Sequence, residues 1–155
     1  MTRINTINPS ELTNEWLLAE YRELPRIPNT IISGKAKVNL SKIPVSYRLG
    51  AGHVTFFYNK LKFLKDRHDA ILVEMDKRGI KRNTDIVVDI STIPTELCND
   101  WQPSFGDKVL NVSRLKERFV LRKKPYHYTE NGVKVVIDDI QEFNSLYKNY
   151  SLFLK

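Results

Sequence analysis

A chain of 155 residues with 25 lysines and arginines against 18 aspartates and glutamates carries a net charge of +7. That excess favours an anionic partner, nucleic acid before membrane, because no basic amphipathic helix stands apart from the body. Hydrophobic residues at 41% and aromatics at 10% exclude intrinsic disorder and predict one folded domain with a buried core. The single cysteine, Cys98, excludes an intrachain disulfide and a cysteine-built zinc site and fits a reducing cytosol.

No apolar run approaches the roughly 18 residues of a membrane helix. The first residues, Met1 to Asn5, lack the apolar stretch of a secretory signal, so a soluble, intracellular protein is expected. No repeat, low-complexity tract or Gly/Ser linker marks a domain boundary.

In chain order, Asn8-Pro9-Ser10-Glu11 reads as a helix start. Asn8 caps, Pro9 takes the first helical position and Glu11 completes a capping box. The helix is expected to run to Leu24, with Leu17, Tyr21 and Leu24 on its core face and Leu12, Trp16, Ala19 and Glu23 on a neighbouring stripe. Glu23 stands between Arg22 and Arg26, just before Pro25 stops or kinks the helix. A carboxylate between two guanidinium groups is expected to stay ionised, and the guanidinium forks suit phosphate oxygens.

The stretch from Asn29 to Leu49 mixes lysines with Gly34 and Pro44 and reads as irregular. Gly50-Ala51-Gly52-His53 permits a tight turn, but its glycines do not fit a dinucleotide or P-loop fingerprint. Leu61, Leu64, His68, Ile71, Leu72 and Met75 recur at three and four and predict a second helix from about Asn59, closed by Gly79. Asp85 to Ile90 is expected as extended chain packed on helices. Asp107 is expected to cap a third helix with Val109, Val112, Leu115 and Phe119 inward and Arg114, Lys116, Arg118 and Arg122 outward, a phosphate-tracking surface.

In Lys123-Lys124-Pro125-Tyr126-His127-Tyr128 bases and aromatics interleave, as suits unpaired or distorted nucleic acid. Asn131-Gly132 predicts a turn, followed by a short strand from Val133 to Ile137 and an amphipathic tail helix from Ile140 to Leu154 that Asp138 and Asp139 open as favourable charges. The class is therefore all-α in the sense of mainly α: three main helices, long irregular connections and a C-terminal strand/helix tail.

Three chemistries compete. A Ser-His-Asp or Cys-His hydrolase lacks a nucleophile elbow and a histidine near Cys98 in sequence. A metal-dependent nuclease needs carboxylates to converge, and Asp85, Asp89, Asp138 and Asp139 are scattered along the chain. The third uses the chain terminus. Removal of Met1 would leave the α-amine of Thr2 free beside Arg3. At neutral pH such an amine is unprotonated roughly a few hundred times more often than a lysine. It can attack a sugar C1′, displace a base and form an imine, with Glu23 handling protons.

Met1-Thr-Arg-Ile-Asn5, Ala19-Glu-Tyr-Arg-Glu-Leu-Pro-Arg26, Leu49-Gly-Ala-Gly-His-Val-Thr-Phe-Phe-Tyr58, Lys77-Arg-Gly79 and Asp89-Ile-Ser-x-Ile-Pro94 together resemble the phage-type pyrimidine dimer DNA glycosylases, the endonuclease V type. The similarity spans residues 1–134. It implies a mainly helical domain whose N-terminal segment threads between helices, and an enzyme that is both glycosylase and abasic-site lyase on ultraviolet-damaged duplex DNA, as a monomer and without metal or cofactor. The resemblance makes Thr2 the amine nucleophile and Glu23 the essential carboxylate. Arg3, Arg22 and Arg26 become contacts to the lesion strand, and Arg114 and Arg118 DNA-binding positions on the third helix. It divides the chain into a glycosylase domain over residues 1–137 and an extension over 138–155.

Two departures stand out. Trp16 occupies a position where the phage-type enzymes carry a histidine, and the tail from Asp138 has no counterpart. If chemistry has faded with that histidine, the alternative is a catalytically weak DNA-damage-binding protein of the same fold.

Overall fold

The computed structural model describes residues 4–83 and 86–154. Asn8 and Pro9 do start a helix, but it is a single 3-10 turn over Pro9–Glu11, with the Asn8 side chain accepting from Ser10 N. The expected continuous helix to Leu24 is broken because Leu12 and Thr13 are extended. Thr13 Oγ1 then caps a new helix, α1 (Asn14–Glu23), by accepting from Trp16 N at 3.3 Å. Glu11 closes no capping box; its carboxylate instead accepts from Tyr150 Oη at 2.9 Å. The break leaves Leu12 fully buried alongside Leu17, Tyr21 and Leu24.

Pro25 does not stop the chain from coiling. It is itself helical (φ −61°, ψ −19°) and leads into α2 (Arg26–Ile32), so the irregular stretch expected from Asn29 begins only after this second helix. Pro28 is tolerated there because it falls in the first turn, where backbone N–H groups have no intrahelical partner. After a short turn at Leu40–Lys42, α3 (His53–Phe56) and a 3-10 turn, Phe57–Asn59, lead to α4 (Leu61–Arg78). Gly79, at φ 71°, closes α4: Gly79 N donates to Asp76 O and Ile80 N to Met75 O, a Schellman ending. Leu61, Leu64, His68, Ile71 and Met75 are buried as expected. The following Ile86–Ile90 stretch has no regular structure and buries Val88; Asp85 lies outside the described residues.

The next helix, α5 (Phe105–Val120), starts earlier than expected. Ser104 rather than Asp107 is its cap, and Asp107 is the reciprocal member of a capping box, with Ser104 N to Asp107 Oδ2 at 2.9 Å and Asp107 N to Ser104 Oγ at 3.0 Å. Val112, Leu115 and Phe119 are buried, and so is Asn111. Arg122 lies past the end of α5, with its guanidinium over the Phe119 ring at 3.7 Å and paired with Asp138 at 3.1 Å.

The fold is mainly α, as expected, with a small two-stranded sheet. Tyr126–Glu130 forms β1 and pairs antiparallel with β2 (Val133–Ile137), from Tyr126↔Ile137 to Glu130↔Val133. The two-residue loop Asn131-Gly132 has positive φ at both positions, 51° and 76°, as the twist of a tight hairpin requires. Periodicity missed β1 because its outer N–H groups are satisfied by side chains of α1: His127 N donates to Glu15 Oε2 and Thr129 N to Asn14 Oδ1. The tail helix is shorter than expected. Asp139 caps α6 (Ile140–Leu146), which buries Phe143, and the chain then turns, burying Tyr147 and Tyr150.

Candidate active site

A cleft of about 420 Å³ opens where α1, α5, β1 and the N-terminal segment meet. One helix face supplies most of it. Trp16, Ala19, Glu20 and Glu23 recur at three and four along α1 and so lie on one side, with Glu15 at the edge. Leu115 and Arg118 come from α5, Tyr126 from β1, and Asn5 from the segment before the first helical turn.

That segment is held from all sides. Ile4, Asn5, Thr6 and Ile7 are buried although two of the four are polar. Burying polar groups is tolerable only if they are hydrogen-bonded, and Asn111 does most of this. Its Oδ1 accepts from Thr6 N at 2.7 Å and Ile7 N at 3.3 Å, and its Nδ2 donates to Asn5 Oδ1 at 2.8 Å. Asn5 Nδ2 donates to Glu20 Oε1 at 2.7 Å, Glu20 is ion-paired with Arg67, and Arg67 Nη1 donates to Ile7 O at 2.8 Å. At the front, Ile4 N donates to His53 Nε2 at 2.8 Å and Tyr47 Oη to Ile4 O at 3.2 Å. The acceptor role of Nε2 leaves the proton on His53 Nδ1, which donates to Arg48 O at 2.9 Å. Gly52 makes this turn possible: its φ is +88°, and a Cβ there would lie 2.9 Å from Arg48 Cδ and 3.2 Å from Pro44 Cγ.

The structure brings Glu23 and Arg118 to one cleft and leaves Arg22, Arg26 and Arg114 out of its lining. Among the described residues Glu23 has no ion pair or hydrogen bond. Neither Arg22 nor Arg26 pairs with it; both are exposed, and Arg26 lines a separate shallow groove with Asn29, Thr30, Ser33 and Lys35. Adjacency in sequence is therefore not adjacency in space, because helical rotation turns Arg22 out of the face that carries Glu23. Arg114 pairs with Glu117 at 3.2 Å outside the cleft. Thr2 and Arg3 lie outside the described residues.

One known family matches this chain over residues 1–87, and its description is pyrimidine dimer DNA glycosylase. The chain belongs to that family. It is thereby a DNA-repair glycosylase with DNA as substrate. The match takes in Glu23, the Glu20–Arg67 pair and His53 but ends before α5 and the hairpin. The cleft thus combines a wall within the family match with one that lies beyond it.

Several residues that shape the cleft carried no signal in the sequence. Asn111 is an ordinary helix residue until its burial is known, and Glu20 and Arg67 are 47 positions apart. Glu15 has no sequence signal beyond its place in a helix, yet its Oε1 lies 2.6 Å from His127 Nδ1 and ties β1 to α1 beside the cleft. The nearest available hint was the i, i+4 spacing that places Asn111 on the same inward face as Leu115.

Proposed function

We propose that this glycosylase removes cyclobutane pyrimidine dimers from ultraviolet-damaged duplex DNA and then cleaves the strand as an abasic-site lyase, with Thr2 and Glu23 as its catalytic residues. One observation carries the reading: an unpaired carboxylate, Glu23, lines the same cleft as Asn5, three residues from Thr2. Three residues of extended chain reach about 10 Å, and the buried network around Asn5 to Ile7 fixes where that reach begins.

With Met1 removed, the lone pair of the Thr2 amine attacks C1′ of the damaged nucleotide. The C1′–N bond breaks, and the base leaves with the bonding pair and takes up a proton. Loss of the amine proton and opening of the sugar ring give an imine, and a carboxylate beside C1′ stabilises the cationic charge. The same carboxylate then takes a C2′ proton, the C3′–O bond breaks with the phosphate as leaving group, and hydrolysis of the imine frees the enzyme. No metal is needed on this route. Arg118 faces the strand in the cleft, with Arg3, Arg22, Arg26 and Arg114 on the flanking phosphates. The glycosylase domain covers residues 1–137 and acts as a monomer, with 138–155 as an extension.

Borohydride reduction during turnover on a duplex with a single dimer tests this. The expected result is a covalent protein–DNA adduct that is lost when the terminal amine is acetylated, from protein whose intact mass lacks methionine. Adduct formation with the terminus blocked would assign the amine elsewhere. Tight binding without any adduct would leave a damage-binding protein instead of a lyase.

A further inference from the structure

The surroundings of Trp16 give its indole a defined task. It lines the cleft two helical turns from Glu23 and is only half-buried. Its ring is held by three aromatics: Tyr126 at 4.7 Å, Phe143 edge-on at 6.3 Å and Tyr147 at 6.4 Å. Phe143 and Tyr147 are fully buried and come from the segment after Asp138. Among the described residues the indole Nε1–H has no acceptor.

We infer that Trp16 is a positioning residue that stacks against a planar, unpaired nucleobase of the damaged duplex, and that the C-terminal segment holds it in place for that role. This rests on the proposed action on damaged DNA. An indole cannot relay a proton at neutral pH, which excludes the acid–base service a histidine offers. What it offers is a wide π-face, and stacking of bases on aromatic rings is the common way to hold a nucleotide that has left its duplex. The seven-residue spacing puts Trp16 about 10 Å along the helix from Glu23, too far to touch the reacting C1′ but within a nucleotide or two of it. A cyclobutane dimer has puckered, non-aromatic rings, so the stacked base is one opposite or flanking the lesion. Arg118, which lines the same cleft, is placed to take the phosphate of the same strand.

The chain has two tryptophans, and the second, Trp101, is packed among Tyr47, Phe56 and Phe63 away from the cleft. Tryptophan emission therefore reports stacking directly. Titrating the full chain with a dimer-containing duplex, while fluorescence anisotropy of a labelled DNA strand reports binding, is expected to quench emission. The quench should persist in Trp101→Phe and vanish in Trp16→Phe. Trp16→Ala is expected to weaken damaged-duplex binding about tenfold, with Trp16→Phe recovering most of the affinity. Replacing the nucleotides opposite the lesion by abasic sites tells an opposite base, whose quench is lost, from a flanking one, whose quench remains. Saturated binding and normal adduct formation without a Trp16-dependent quench would overturn this inference and leave the proposed function standing. Failure to bind the damaged duplex at all would overturn both.

Discussion

Glu23 enters the cleft with no ion-pair partner among the described residues, so its charge is available to substrate. Replacing it by glutamine keeps size and removes the charge. Glu23→Gln is expected to lower strand cleavage on a dimer-containing duplex at least about 100-fold while gel-shift affinity for that duplex is largely retained; near-normal cleavage would place the proton transfers on another group. Asn111 works at a distance from the chemistry. It satisfies Thr6 N and Ile7 N in a fully buried site, and Asn111→Leu leaves those donors without an acceptor. Unpaired buried groups of this kind cost about 3 kcal/mol in sum, read as a lower denaturation midpoint. The cleavage rate should fall with it, because the segment leading to Thr2 loses its anchor. At this scale the sequence was only half legible. Glu23 stood out by its composition and its neighbours, whereas Asn5, Asn111 and Glu20 are polar residues whose burial no single sequence can reveal.

Among the elements, the corner between α1 and α2 shows how one residue's deficiency is met by another. Pro25 has no N–H, so Tyr21 O lacks its usual partner four residues on. The acceptor is served instead from α4, where His68 Nε2 lies 3.3 Å from Tyr21 O and donates to it, the imidazole stacked on the Tyr21 ring. Burial lowers the His68 pKa below its ordinary value. The native site then refuses a proton that the unfolded chain accepts, so stability is full above about pH 6.5 and falls as pH drops below it. Thermal melts between pH 7.5 and 5 should show that decline, and His68→Phe should flatten it. The turn before α3 makes a second case. At Gly52 a side chain meets both the left-handed backbone and the ring of Pro44, which cannot swing aside. Gly52→Ala is expected to cost about 2 kcal/mol, measured by denaturant unfolding. The long helices α4 and α5 were readable because their apolar periodicity runs for 18 and 16 residues. The break at Leu12–Thr13, where Thr13 caps a new helix locally, was not, nor were the corner after Pro25 and β1, which side chains distant in sequence support.

For the whole molecule, the charge of +7 and the separated placement of Arg22, Arg26 and Arg118 predict binding through several phosphates at once. If those three arginines each neutralise one phosphate, log affinity should fall with log salt at a slope of about −3 or steeper, and a flat profile between 50 and 200 mM salt would contradict it. Composition, periodicity and a few contiguous blocks determined by themselves that this is a mainly helical, basic member of the pyrimidine dimer DNA glycosylases, because helix-forming patterns and family motifs are local properties of the chain. Only the tertiary structure decided which charges share a cleft. It set Glu23 in one cleft with Arg118 and Asn5 rather than with its sequence neighbours Arg22 and Arg26, and it brought Phe143 and Tyr147 from the far end of the chain to brace Trp16. The physical reason is that helix rotation and burial act on side chains in three dimensions, where sequence distance has no weight.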